Sequence, residues 1–261
     1  MKNRLLVSAV LAVVCAWLLP GCASVGEAPR TLRIGYTPND APVTFEIDGE
    51  FAGIEADMAH DLAAALHCEP EFVEYEWAKL IPALQAGEID IIMSGMTITP
   101  SRRTQVDFCQ PYMDNPLVAV VRAGEVDAYA SADDILSAPV TIGALKGTSG
   151  EIFAKRHCLR ARVVAATFRK DVASLLTSQR FKLYIDDLSA GVEILQQNEA
   201  ALSMLPFALH SQQLAWAVAP GNGDLRDAAN AVLARWQASG RLDAVLDRWL
   251  PYRTAFVQSA R

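Results

Sequence analysis

Ile89–Tyr112 reads IDIIMSGMTITPSRRTQVDFCQPY. Ile89, Ile91, Ile92 and Met93 form a short apolar run rich in β-branched residues with no helical period, which predicts a buried strand opening into a loop at Ser94-Gly95. Gly95 lets a ligand come close to the backbone, Ser94, Thr97 and Thr99 bring hydroxyls and main-chain N–H groups, and Pro100-Ser101 starts a short helix carrying Arg102. A guanidinium holds a carboxylate through two parallel charge-assisted hydrogen bonds, a geometry that lysine lacks. On their own these residues also describe a strand, a turn and a solvated Arg102-Arg103 pair. The surrounding chain decides between the two.

Upstream, LRIGY (32–36) predicts a strand, and TPNDAPVTF a loop at the strand end. Gly53 opens a helix in which Ile54, Met58, Leu62 and Leu66 make an apolar stripe against Glu55, Asp57 and Asp61. FVEYEW (72–77) reads as a strand and AKLIPALQAG as a short helix stopped by Gly87. The order β-α-β-α-β implies a parallel sheet covered by helices, with ligands beyond the carboxyl ends of the strands. After Tyr112, a crossover leads to a second alternating series: VTIGAL (140–145), a helix from Gly150, ARVVAA (161–166), KDVASLLTS, FKLYID and DLSAGVEILQQ. LAWAVAP then predicts a strand, followed by a helix from Asp224 with Leu225, Val232, Leu233 and Trp236 on one face, a stop at Gly240 and a last helix ending at Trp249-Leu250-Pro251.

The central stretch, GIEADMAHDLAAAL (a Gly-x-x-x-Asp helix start) and the closing SGRLDAVLDRWL resemble the family 3 extracellular solute-binding proteins, the amino-acid receptors of ABC importers. The resemblance covers Leu32 to Tyr252. It implies an α/β, two-lobed periplasmic-binding-protein (Venus flytrap) fold in which two hinge crossovers join the lobes. Lobe 1 is then 32–112 and 217–261, lobe 2 is 117–211, and the hinges are 112–117 and 211–216. By the same resemblance Arg102 clamps the ligand's α-carboxylate, Thr97 adds its hydroxyl and N–H, and Ser94 with Gly95 meets the α-ammonium. Thr148 and Ser149, in a Gly-Thr loop at a helix N-terminus, face an anion. Asp186, with Asp187 as the competing assignment, takes the ammonium, and Trp77 packs on the ligand's side chain. The first loop departs from the family pattern: Thr37 and Asp40 stand where many members have an acid and an aromatic, and Val43 replaces the usual aromatic after Pro42. Asp40 predicts a polar ligand with a Lys-like or Arg-like end, since a carboxylate in a desolvated cleft attracts a cation.

The first residues, MKNRLLVSAVLAVVCAWLLPGC, have two early cations and an apolar run from Leu5 to Leu19, the layout of a secretory signal over residues 1–21. Leu19-Pro20-Gly21-Cys22 resembles a lipobox, which would make Cys22 an acylated N-terminus and residues 22–31 a tether, anchoring an exported, periplasmic, monomeric protein to a membrane. Loss of Lys2 and Arg4 with the signal leaves 21 bases against 30 acids, net −9, which argues against nucleic acid. Cys68, Cys109 and Cys158 are too few and too widely spaced for a disulfide framework and read as buried thiols with at most one pair. No metal or cofactor site is expected: GNGDLR lacks the last glycine of a dinucleotide fingerprint, LKGTS lacks P-loop spacing, and His60 and His67 read as surface or packing residues. Two rivals remain. Periplasmic cyclohexadienyl dehydratases share the implied fold and use a Glu near the Gly-Thr loop, a position that Glu151 approaches with an offset of one residue. A sensory or accessory lipoprotein would use the same cleft to report to another partner.

Overall fold

The computed structural model describes residues 30–250 apart from residue 39. The signal segment, Cys22 and residues 251–261 lie outside the described residues. The chain begins with β1 (Arg30–Tyr36), the hairpin β2 (Phe45–Ile47) and β3 (Glu50–Ala52), α1 (Ile54–Ala65), β4 (Cys68–Glu74), α2 (Leu80–Gln85), β5 (Ile91–Ile92), α3 (Pro100–Arg103) and β6 (Asp107–Phe108). It continues through β7 (Met113–Asp114), β8 (Leu117–Arg122), α4 (Ala132–Ser137), β9 (Thr141–Leu145), α5 (Ser149–His157), β10 (Arg162–Ala166), α6 (Val172–Thr177), β11 (Leu183–Asp187), α7 (Leu188–Gln196) and β12 (Leu202–Met204). Finally β13 (Gln213–Leu214) leads to β14 (Ala217–Val218), α8 (Gly223–Ser239) and α9 (Arg241–Trp249).

Two five-stranded sheets result, ordered β4-β1-β5-β14-β6 and β10-β9-β11-β8-β12, each the centre of one α/β lobe. β7 and β13 pair antiparallel, Met113 with Leu214, where the chain passes between the sheets. The period-2 alternation of strand side chains fills both faces. In β5, Ile91 packs with α1, α8 and α9 through Met58, Leu62, Leu233 and Leu246, while Ile92 packs with α2 through Leu80 and Leu84. In β11, Leu183 and Ile185 meet Phe153 of α5 on one face, and Tyr184 meets Val172 and Leu176 of α6 on the other. Gly150 is needed at the start of α5, since a Cβ there would sit 2.5 Å from the Ile185 carbonyl oxygen.

Several elements differ from the sequence expectations. The sheets are mixed: β1 runs parallel to β4 and β5, and β9 parallel to β10 and β11, but β14 is antiparallel to β5 and β6, and β8 to β11 and β12. The reversed strands are those entered directly from a crossing, without the helix that makes a βαβ unit parallel. LAWAVAP is not one strand, because Leu214 pairs with β7 while Ala217 and Val218 pair with β5 and β6, and the fully buried Trp216 lies between. FVEYEW stops as a strand at Glu74, and Trp77 opens a 3-10 turn at 77–79. Strand β1 already starts at Arg30, inside the segment read as a tether. Glu55, read on the polar side of α1, is fully buried. Cys68, Cys109 and Cys158 are free thiols as expected, but only Cys109 and Cys158 are buried and Cys68 is partly exposed.

Candidate functional site

The carboxyl ends of β1, β5, β9 and β11 converge on a cavity of about 30 Å³ lined by Ser94, Gly95, Thr97 and Arg102 from one lobe and by Thr148, Ser149 and Asp187 from the other, with Asp40, Trp77, Leu145 and Arg169 completing it. On the lobe 1 side, the Thr99 hydroxyl accepts the Arg102 N–H at 3.3 Å and Pro100 occupies the first helical position, so α3 forms although it is only four residues long. That turn sends Arg102 back along the loop. Its Nη1 donates to the Thr97 carbonyl at 2.8 Å and its Nη2 to the Gly147 carbonyl of lobe 2 at 3.2 Å, and the guanidinium lies over the Trp77 ring at 5.0 Å. Both bonds go to carbonyls, and among the described residues no carboxylate pairs with this buried cation. Burial lowers its pKa to about 10, with the charge of Asp187 acting the other way. A desolvated guanidinium in this state is a receptor for an anion.

Lobe 2 supplies the opposite charge. Asp187 ends β11, and its Oδ1 accepts from the Ser149 hydroxyl at 3.1 Å and from the Gln212 amide. Burial, then the negative charges of Asp186 and Asp40, push the Asp187 carboxyl up to about 8. Asp186 does not line the cavity: its carboxylate accepts from the Tyr184 hydroxyl at 2.5 Å and from the Asp187 N–H at 3.0 Å, beneath the site. Of the two tandem acids, the second therefore faces the cleft. Thr148 caps α5, accepting the Glu151 N–H at 3.4 Å, and Ser149 stands at the first turn. Glu151 turns back to accept the Gly147 N–H at 2.7 Å and pairs with Lys155 at 2.7 Å. Partial burial raises its carboxyl, but those two donors outweigh that and hold it below the ordinary carboxylate range.

The other residues read from the sequence divide into lining and support. Trp77 bridges the lobes, its Nε1 donating to the Gly147 carbonyl at 3.1 Å. Thr37 does not line the cavity; its N–H donates to the Ser94 hydroxyl at 2.9 Å and its own hydroxyl to the Tyr75 carbonyl at 2.8 Å, so it orients Ser94. Gly95, at φ +63°, sits where an L side chain would be strained, and its N–H is taken by Glu55 at 2.8 Å. Glu55 also accepts from Tyr112 at 2.6 Å and Trp216 at 2.8 Å. Burial raises its pKa to about 7 against the pull of those three donors. Glu55 thus fixes the binding loop from behind. Its acid character was legible, its burial was not.

Arg169 was missed altogether. It follows β10 at the head of a 3-10 turn, and its Nη1 crosses the cleft to Asp40 Oδ1 at 2.8 Å. The acid that the sequence offers to a cationic ligand is thus already paired within the protein. The one signal available was position, an arginine just past the carboxyl end of a strand in an alternating series. His60 packs edge-on against Phe72 at 5.0 Å, and among the described residues no group of His, Cys, Asp or Glu is arranged to hold a metal ion.

The family model for bacterial extracellular solute-binding proteins, family 3, matches residues 32–252. The chain is 27% identical over 222 residues to the L-cystine-binding protein TcyJ of Escherichia coli, covering 84% of this chain and 82% of that protein. It is 25% identical over 244 residues to the ABC transporter arginine-binding protein 1 of the same organism, covering 92% and 98%. Among solved structures, the ancestral amino acid-binding protein AncCDT-1, a precursor of cyclohexadienyl dehydratase, superposes with a TM-score of 0.76 at 29% identity over 84% of this chain and 95% of that one. With its two α/β lobes closed on a charged cleft and a family match across nearly its whole described length, the chain belongs to the family 3 bacterial extracellular solute-binding proteins.

Proposed function

We propose that the protein is an exported receptor that captures a small zwitterionic amino acid between its lobes and delivers it to the membrane subunits of an ABC importer. The observation that carries this reading is the pairing of Arg102 from lobe 1 with Asp187 from lobe 2 around one cavity: a buried cation without a carboxylate and a buried acid held near neutrality. An α-carboxylate and an α-ammonium complete both at once. Thr97, Ser94 and the N-terminus of α5 supply the remaining hydrogen bonds. Because the two charges sit on different lobes, the ligand stabilises closure, and the closed surface is what a transporter recognises. The lobe boundaries and the hinges at 112–117 and 211–216 belong to this proposal and are supported by the β7–β13 crossing.

The family and its amino-acid-binding relatives support binding over catalysis, and Glu151 supports it further. A dehydratase acid has to reach the substrate, whereas the Glu151 carboxylate is engaged by Gly147 and Lys155 and does not line the cavity. One experiment addresses both points. Screened by thermal shift, at least one amino acid at a hundredfold excess over Kd raises the apparent stability by about 2.7 kcal/mol, and incubation with prephenate yields no phenylpyruvate. Glu151-dependent turnover, or no shift with any amino acid, refutes the reading. Anchoring through Cys22 is the second part, motivated by Leu19-Pro20-Gly21-Cys22. Intact mass of membrane-expressed protein is expected to include a diacylglycerol on Cys22, and an unmodified N-terminus at or beyond residue 22 removes the anchor.

A further inference from the structure

We infer that Arg169 is the specificity determinant of the cleft, a built-in counter-ion that occupies the place of a cationic ligand side chain and restricts the site to amino acids with short, uncharged side chains. The inference rests on the proposed amino-acid-binding function.

Asp40 lies in a tight turn, its N–H donating to the Thr44 carbonyl at 2.8 Å, and its carboxylate looks into the cavity. Oδ1 accepts from Arg169 at 2.8 Å and from the Ser189 hydroxyl at 3.3 Å. The side chains of Asp40 and Arg169 are 11% and 12% exposed, so the pair is desolvated on both sides. Arg169 is tethered from behind as well, with Asp186 at 3.5 Å and Glu193 at 3.6 Å, both from lobe 2. Swinging it away to admit a lysine or arginine side chain would leave the buried Asp186 and the half-buried Glu193 of its own lobe without their cation. Specificity against a competitor is gained by such repulsion and desolvation as much as by attraction to the right ligand. A ligand guanidinium or ammonium entering beside Arg169 would meet like charge in a largely buried setting that screens it weakly. The inner cavity is small, at about 30 Å³, and Arg169 forms part of its wall.

Arg169 also separates this cavity from an outer one. A pocket of about 420 Å³ lies on the far side, lined by Thr167, Phe168, Glu193 and Ile194 and sharing Arg169 and Leu145 with the inner site. Removing the side chain joins the two spaces and uncovers Asp40 and Glu193 together, a longer slot with an acidic end.

The test is a gain of function. Isothermal titration of the wild type is expected to give one of glycine, alanine, serine, threonine or cysteine at least 100-fold tighter binding than arginine or lysine. Arg169→Ala is expected to bind arginine or lysine at least tenfold tighter than the wild type does, with the short ligands unchanged or weaker. Arg169→Gln, which keeps most of the bulk, guards against a folding defect in the alanine variant and is expected to shift the preference in the same direction. The inference is overturned if the wild type binds arginine or lysine as tightly as any short neutral amino acid, a result that leaves the binding function intact. It is also overturned if a folded Arg169 variant gains no affinity for cations. If neither protein binds any amino acid, the proposed function itself fails, and the inference with it.

Discussion

Arg102→Ala is expected to weaken ligand binding by about 2 to 5 kcal/mol, roughly 30- to 5,000-fold, so that a micromolar ligand escapes detection by titration. Truncation removes the carboxylate's charged partner and leaves that carboxylate buried in a closed cleft. Arg102→Lys is expected to restore little. The guanidinium spans the Thr97 and Gly147 carbonyls with two different nitrogens while sitting over the Trp77 ring, and a single ammonium cannot do all three. The ligand-free protein tells a binding role from a structural one. A buried cation with no carboxylate partner costs stability, so Arg102→Met is expected to melt, without ligand, within a few degrees of the wild type while losing the ligand-induced shift. A collapse of the ligand-free melting temperature with unchanged affinity would make Arg102 a structural residue.

Affinity is expected to fall roughly ten- to a hundredfold between pH 8 and pH 6. Only the ionised Asp187 carboxylate balances the ligand's ammonium, and in the empty site burial, Asp186 and Asp40 push that carboxyl up to about 8 while Arg169 and Ser149 pull the other way. Binding at pH 6 therefore has to expel a proton that is already gone at pH 8. The ligand-free protein is expected to move in the opposite direction. For a carboxyl whose folded pKa is raised, stability is fully present below the unfolded value and is lost as pH rises through the folded one. Asp187, and Glu55 near pH 7, thus lower the ligand-free melting temperature from pH 6 to pH 8. Carboxyls with lowered values, such as Asp90 and Glu151, have finished titrating below this window. Titrations at pH 6, 7 and 8, paired with melting curves, read both slopes. Asp187→Asn is expected to flatten the affinity slope, and a flat slope in the wild type would place the ammonium elsewhere.

Element types and the site's lobe 1 half were legible because their signals are local. The Ile89–Met93 run, the Thr99-Pro100 helix start and the Gly147-Thr148 cap each depend on residues within one turn of each other, and chain-local sterics and hydrogen bonds settle them. Strand direction was less accessible. Nothing near Ala217 or Leu117 tells whether a strand runs with or against its neighbour, since that follows from the crossings between lobes. The choice between Asp186 and Asp187 had the same character: successive strand residues face opposite ways, and which way is inward depends on the sheet that receives them.

What the sequence by itself determined was the alternating α/β order, the family and the loops that carry hydroxyls, Arg102 and the tandem acids to the strand ends, because each is written in neighbouring residues. What only the tertiary structure decided was the pairing of charges. Glu55 meets Gly95 from 40 residues away, and Arg169 meets Asp40 from 129. Burial and ion pairing between such positions arise when separate elements pack, and desolvation, absent from any local window, then sets which acids and cations find partners within the protein and which do not.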